Sequence, residues 1–318
     1  MSVGSSGSEG GAVPPAPEIL IHFHLPKTGG TTLNIVLRGN FPGPSRFIAQ
    51  TGVAHSHLWT EDIEALRAKF DALTPAERVA VRCVTAAHIP MGIHRIFDRP
   101  AKYITVLRDP VDRVVSHYYF VHEYDKAKPI PESMSLDEWL EARIDLGPYD
   151  FQVRMLSGAP ELDAMRTEAR EPIALTPVED RHLEMAKRNI EELFVAAAPL
   201  DDFTALVLLL RRIYGWNWAK VLFEEINTTK ARPTLAQVPE ATRRRIEELN
   251  PYDRKLYEWV ALRFRAQIDA LGPSFRREMR LFEALNRSIR TVGGVIPFGV
   301  RRKLALWLLY RQRNLRAA

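Results

Sequence analysis

The sequence predicts an α/β fold, a three-layer sandwich with a mainly parallel central sheet. Three observations predict it. Apolar runs of strand length recur along the chain at Ile19–Leu25, Arg82–Ala87, Lys102–Leu107 and Leu193–Ala197. Between them lie longer segments with apolar residues at helical spacing, and such alternation closes into a parallel sheet covered on both faces. At two strand ends the chain carries turn chemistry that leads straight into a helix, Lys27-Thr28-Gly29-Gly30-Thr31-Thr32 and Arg108-Asp109-Pro110.

The elements follow in order. Residues 1–17 are Gly, Ser and Pro with little to bury and read as a disordered leader, so order is expected from Glu18. Ile19–Leu25, ended by Pro26, reads as a buried strand. Thr31 or Thr32 is the expected N-cap of the next helix, which carries Leu33, Val36 and Leu37. Ser45–Ala49 is a short strand, and Trp59–Leu73 an amphipathic helix stopped near Thr74-Pro75. Arg82–Ala87 is a strand leading into His88. After the strand Lys102–Leu107, Asp109 before Pro110 is a strong helix start, and Val111, Val114, Val115, Tyr118 and Tyr119 follow along that helix. Leu193–Ala197 reads as a strand, and Asp202–Tyr214, Arg243–Asn250 and Tyr252–Ile268 as helices. Three regions result: a leader at 1–17, a domain at 18–272, and a basic amphipathic tail at 273–318 beginning at the Leu271-Gly272-Pro273 break.

Composition narrows the function classes. The chain has 318 residues, 46% of them hydrophobic, which is enough for a sizeable core and excludes wholesale disorder. Its one cysteine, Cys83, excludes an internal disulfide and any multi-cysteine zinc site. The net charge of +5 is unevenly placed: from Phe275 onward there are eleven Arg and Lys against two acids, Glu278 and Glu283, so the rest of the chain is acidic on balance. That distribution argues against a nucleic-acid binder. Within the tail, Val300–Arg311 has an apolar centre with Trp307 and Tyr310 flanked by cations. It suits an interfacial helix on an anionic membrane, or a terminal helix packed on the body with a solvated basic face, or a grip on a polyanionic glycan. No apolar run reaches the ~20 residues a bilayer requires, and the first residues lack the pattern of a signal peptide. A cytoplasmic protein, peripheral on the inner membrane face through its tail, is therefore expected.

The two strand–turn–helix units carry the chemistry. A glycine loop opening a helix is an anion site, because N–H groups there lack intrahelical partners and the helix dipole favours negative charge. Gly29 and Gly30 allow close backbone approach, Thr28, Thr31 and Thr32 add hydroxyls, and Lys27 adds a full charge. In a Walker A loop the lysine follows the second glycine; here Lys27 precedes both, at the strand end. Downstream, Arg108 stands at a strand's carboxyl end, where open α/β sheets bind ligands, and Ser116 lies two helical turns further on. An arginine and a hydroxyl so placed can grip a second phosphate. The plainer reading pairs Arg108 with Asp109 or Asp112 and leaves Ser116 on the surface.

Pro26-Lys27-Thr28-Gly29-Gly30-Thr31-Thr32 after a strand, with Leu107-Arg108-Asp109-Pro110-Val111-Asp112-Arg113-Val114-Val115-Ser116-His117-Tyr118-Tyr119-Phe120 downstream, resembles the PAPS-dependent sulfotransferases, in particular the carbohydrate branch that includes heparan sulfate 2-O-sulfotransferase. The resemblance covers roughly Ile19 to Phe264. Asn227–Pro233 and Asn250–Tyr257 support it more loosely. It implies a P-loop-NTPase-like sulfotransferase fold and the donor PAPS (3′-phosphoadenosine 5′-phosphosulfate), with no metal, and no metal-ligand spacing such as HExxH is present. Carried over by motif, Lys27 to Thr32 would hold the 5′-phosphosulfate, Arg108 and Ser116 the 3′-phosphate, and Thr229, Lys230 and Arg232 a late cofactor-contacting loop. His88 occupies the place of the branch's catalytic base, with His94 the second choice, and Lys27 would stabilise the departing phosphate. An imidazole suits that task near neutrality.

The acceptor is expected to be a carbohydrate or glycolipid hydroxyl. His24 is read as bordering its pocket or as a satisfied near-core histidine. Gln152 and Arg154, in Phe151–Gly158, either touch substrate or sit on a surface helix. Two other classes stand beside the enzyme: a P-loop nucleotide kinase or ATPase, and a non-catalytic nucleotide- or glycan-binding protein on the same fold.

Overall fold

Strand β1 (Ile19–His24) sends Ile19, Ile21 and Phe23 to one core and Leu20 to another, the period-2 alternation of a strand buried on both faces. It is the middle strand of the sheet in the computed structural model, which describes residues 18–49, 63–87, 89, 91–124, 130–131, 133–144, 146–162, 175–223 and 233–291. The other strands are β2 (Arg46–Ala49), β3 (Cys83–Ala87), β4 (Ala101–Leu107) and β5 (Phe194–Pro199), in the order β2-β3-β1-β4-β5. Every pairing is parallel: His24 lies opposite Ala87, His22 opposite Ile104, and Leu107 opposite Pro199. From β1 the chain moves out to β2, returns to β3, and then crosses to β4 on the other side of β1. The winding therefore reverses between β1 and β4, and at such a switch point an open α/β sheet offers its ligand crevice, outside the strands' carboxyl ends.

The helices of the described residues are α1 (Gly30–Asn40), α2 (Ile63–Asp71), α3 (Pro75–Ala80), α4 (Pro110–Tyr124), α5 (Leu136–Ala142), α6 (Phe151–Ser157), α7 (Asp180–Leu193), α8 (Phe203–Tyr214), α9 (Trp218–Val221), α10 (Glu240–Leu249), α11 (Pro251–Ala270) and α12 (Gly272–Thr291). One sheet face is covered by α2, α6 and α7, through residues such as Phe70, Leu156 and Ile190. The other is covered by α1, α8 and α12, through Leu33, Leu206 and Phe282. A satellite core joins α4, α5 and α10 around Trp139, Val114 and Ile246. Helix α11 serves both faces, with Leu256 and Val260 in one core and Phe264 and Ile268 in the other. It thereby covers edge strand β5, and Gln267 donates to the Val195 carbonyl at 3.0 Å.

Residues 273–291, read from the sequence as the start of a basic tail, belong to α12. The break falls at a real turn, where Gly272 takes φ 74°, but Phe275 and Phe282 beyond it are fully buried. A spacing of seven sets those phenylalanines on one face, while Arg276, Arg277, Arg280 and Arg287 stay exposed. The leader and residues 292–318 lie outside the described residues.

Candidate functional site

The loop after β1 is built for close approach. Lys27 takes φ 67°, a left-handed conformation uncommon outside glycine, and Gly29 takes φ 83° at the N-cap of α1. The expected cap, Thr31 or Thr32, lies inside the helix instead. The cap residue itself has no side chain to offer. Thr28, fully buried, donates from Oγ1 to the Leu25 carbonyl at 2.8 Å and ties the loop to the strand end. A Cβ on Gly30 would lie 2.1 Å from the His24 ring, and one on Gly29 2.7 Å from Leu200 Cδ1. The glycines are thus required by contact as well as by conformation. The Lys27 ammonium sits 4.0 Å from the centroid of the Phe120 ring on α4.

The turn after β4 meets this loop directly. Arg108 donates from Nη1 to the Lys27 carbonyl at 2.9 Å and from Nε to Asp112 Oδ2 at 2.5 Å. Its Nη2 makes no hydrogen bond among the described residues. Burial pulls the guanidinium pKa down to about 10, so it stays charged at neutral pH. Asp109 caps α4 as the sequence predicts, accepting from the Asp112 N–H at 3.1 Å, and its other oxygen accepts from Arg254 of α11 at 2.6 Å. Ser116 lies on α4 and is buried. The two expected phosphate loops therefore share one crevice, at the switch point of the sheet, and Arg108 is both the paired residue of the plain reading and the link between them.

The histidines separate by environment. His22 and His24 stack at 5.2 Å on one face of β1. His22 is buried, donates from Nδ1 to Asn34 Oδ1 at 2.7 Å, and is held neutral by a burial-lowered pKa of about 4. His24 is half-exposed against the glycine loop. The second choice of base, His94, is elsewhere: it is bonded through Nδ1 and its N–H to the hydroxyl of Tyr103, near the amino end of β4, at 2.9 Å each. Lys27 and Arg108 lie at the carboxyl ends. Burial, then Arg95 and Lys102, lowers the His94 pKa. His88, Thr229, Lys230 and Arg232 lie outside the described residues.

Gln152 and Arg154 do not line the crevice. All of α6 is buried, contrary to a surface helix. Gln152 is fully enclosed, and its amide accepts from the Arg108 N–H at 3.0 Å and donates to the Arg108 carbonyl at 2.9 Å. Arg154 donates from Nε and Nη2 to the carbonyls of Tyr149 and Thr176, at 2.7 and 2.8 Å, and its buried Nη1 has no partner among the described residues.

Sequence reasoning missed the carboxylates behind them. Asp253, in the first turn of α11, accepts from the Gln152 and Val153 N–H groups at 3.0 and 2.8 Å and so caps α6. Asp150, preceding α6, accepts from the Tyr252 and Asp253 N–H groups at 2.9 and 2.7 Å and so caps α11. Each helix start is closed by the other's acid. Burial and then the Asp253 charge raise the Asp150 pKa to about 7, and burial raises that of Asp253. The visible signal was Asn250-Pro251 with Asp253 two residues on, a helix start with an acid in its first turn.

Comparison with known proteins adds the family. Residues 6–294 match the model of the galactose-3-O-sulfotransferase family. Galactose-3-O-sulfotransferase 3 of Mus musculus is 26% identical over 208 residues, covering 64% of this chain and 47% of that protein. Its Homo sapiens counterpart is 26% identical over 223 residues, 67% of this chain and 50% of that protein. Heparan-sulfate 6-O-sulfotransferase 2 of Gallus gallus is 30% identical over 288 residues, 76% of this chain and 66% of that protein. The chain spans about half the length of the galactose-directed relatives it matches. The carbohydrate branch was read correctly from the two motifs. The member was not: the matched family is the galactose-3-O one, and these heparan-sulfate relatives are 6-O- rather than 2-O-sulfotransferases.

Proposed function

The chain belongs to the galactose-3-O-sulfotransferase family, and from that premise we propose that it transfers a sulfuryl group from PAPS to a sugar hydroxyl. The observation that carries this is the junction of the Lys27 loop and the Arg108 turn in one crevice. The residues there suit such a donor: a lysine, a helix start whose cap residue is a glycine, and a guanidinium whose Nη2 is unengaged among the described residues. Lys27 to Thr32 would hold the 5′ end, and Arg108 with Ser116 the 3′-phosphate. Bound there, the donor would supply the sulfuryl group, with adenosine 3′,5′-bisphosphate as the leaving group.

The chain's own residues do the rest. Lys27, at the strand end of the loop, neutralises charge on the leaving oxygen; removing one such donor typically costs about 2.7–4 kcal/mol. Arg108, held by Asp112, Gln152 and the Lys27 carbonyl, orients the nucleotide without rearrangement. A histidine takes the proton of the acceptor hydroxyl. His88 is the residue we assign, since His94 is engaged with Tyr103 away from the crevice. His24, against the glycine loop, borders the same space. A kinase or ATPase would want its lysine after the second glycine, where this chain has Thr31.

The acceptor proposed is a galactose-type or heparan-type carbohydrate, free or on a lipid. The exposed arginines of α12 support the reading of the C-terminal region as a surface for an anionic membrane. Incubation with radiolabelled PAPS and a panel of glycans and glycolipids tests the activity. Label on an acceptor, abolished in Lys27→Ala, supports it. Tight ATP binding with no affinity for adenosine 3′,5′-bisphosphate would overturn it.

A further inference from the structure

We infer that Gln152, backed by Asp253, is a positioning residue that sets how tightly the Arg108 turn grips a nucleotide's 3′-phosphate. The inference rests on the reading of Arg108 above. The peptide of Arg108 lies just past the end of β4, where Leu107 is the last residue paired with β5. It has no neighbouring strand to satisfy its N–H and carbonyl, and a buried peptide left so is costly. The Gln152 amide supplies both partners, at 3.0 and 2.9 Å, and extends the ladder by one residue with a side chain. Because Gln152 is fully enclosed, water does not compete for those bonds.

The amide is itself held from behind. The Gln152 backbone N–H donates to Asp253 Oδ2 at 3.0 Å, and its Nε2 approaches the same oxygen at 3.4 Å. Asp253 is fixed by the reciprocal caps between α6 and α11. Further out, Arg254 holds Asp109, the residue after Arg108. The α11 start thus reaches the turn by two routes, through Gln152 and through Arg254, 44 and 145 residues from their targets in sequence. Gln152 is fully enclosed, so the effect of this hold is on where the guanidinium points.

A residue that merely stabilised the fold would weaken all nucleotides alike. A residue that positions Arg108 changes the preference for a 3′-phosphate. The test measures dissociation constants of adenosine 3′,5′-bisphosphate and adenosine 5′-phosphate by calorimetry, with melting temperatures, for wild type, Gln152→Met and Val153→Ala. Methionine keeps the length of glutamine and removes both bonds. Val153 is buried on the same helix with its side chain in the core, so its truncation is the stability control. We expect Gln152→Met to lose about tenfold in the bisphosphate-over-monophosphate ratio, the scale of one lost anchoring hydrogen bond. Val153→Ala should keep the wild-type ratio at a comparable fall in melting temperature. Should Gln152→Met fail to fold, Asp253→Asn carries the same comparison, with a smaller loss of ratio expected. A wild-type ratio retained in the folded variant, or an equal loss in Val153→Ala, overturns the inference. A wild type that itself shows no preference for the bisphosphate overturns the reading of Arg108 instead.

Discussion

Arg108 and Lys27, 81 residues apart in sequence, are joined by a 2.9 Å hydrogen bond from the guanidinium of one to the carbonyl of the other. The bond holds the left-handed turn at Lys27 against the end of β4 and so joins the two loops. Each loop alone would be a common tight turn. Their junction gives Lys27 and Arg108 a fixed separation, which a ligand with two charged ends can read.

Replacing Arg108 therefore disturbs both loops. Arg108→Lys keeps the charge but cannot reach Asp112 and the Lys27 carbonyl together, because an ammonium lacks the planar fork. Loss of a charged hydrogen bond costs about 1.5–3 kcal/mol. Affinity for adenosine 3′,5′-bisphosphate should fall by about tenfold to a hundredfold in calorimetry, and Arg108→Ala should fall at least as far. Unchanged affinity in Arg108→Lys would mean the fork is not used.

The His24–Gly30 contact makes a second prediction. In Gly30→Ala the new methyl would meet the His24 ring at 2.1 Å, so the ring must turn away or strand and loop must separate. Overpacking of this kind costs roughly 1–3 kcal/mol and would be seen as a lower melting temperature with weakened nucleotide binding. Removing the ring relieves the clash: His24→Ala/Gly30→Ala should be more stable than the sum of the single changes predicts. Strict additivity would refute the contact.

Stability should carry two opposed pH dependences. The Asp150 pKa is raised from 3.8 to about 7, so the folded state holds a proton that the unfolded chain has lost. That contribution is full below pH 3.8 and is lost as pH rises through about 7. His22 runs the other way: its pKa falls from 6.5 to about 4, so its contribution is present above pH 6.5 and is lost as pH drops toward 4. Asp150→Asn keeps an oxygen for the caps and removes the first effect. Its melting temperature relative to wild type should climb steadily from pH 4 to pH 7. A flat difference would show that Asp150 ionises normally.

Helix α12 is part of the domain in energetic terms. Phe282 is fully buried against Trp218 of α9 and Phe223 just beyond it. Phe282→Ala should cost about 3–5 kcal/mol, measured by denaturant unfolding. A chain ended after Gly272, losing Phe275 as well, should unfold at still lower denaturant. Near-wild-type stability would make α12 an appendage.

The strands were legible because burial on both faces leaves near-continuous apolar runs, as in Ile19–Phe23, broken by His22, and Tyr103–Leu107, broken by Thr105. The Asp109-Pro110 start of α4 was legible because its capping is local. The α1 cap was not, since a left-handed Gly29 rather than a threonine hydroxyl ends the loop. Helix α7 was overlooked although Leu183, Ala186 and Ile190 keep helical spacing. Lys27 and Arg108 were singled out by motif, and the fold joins them through one hydrogen bond. Gln152 was placed in the wrong layer because its partners, Arg108 and Asp253, come from distant parts of the chain and no local pattern marks an amide as buried. Its neighbours Phe151, Val153 and Met155 hinted at enclosure on every side of α6.

The most direct test is transfer itself. Purified protein, radiolabelled PAPS and galactose- or heparan-type acceptors should give labelled saccharide, with the rate lost in Lys27→Ala and in His88→Ala while both variants melt like wild type. Label transfer undiminished in Lys27→Ala would contradict the assignment of the crevice, and a protein that binds neither PAPS nor adenosine 3′,5′-bisphosphate would contradict the function.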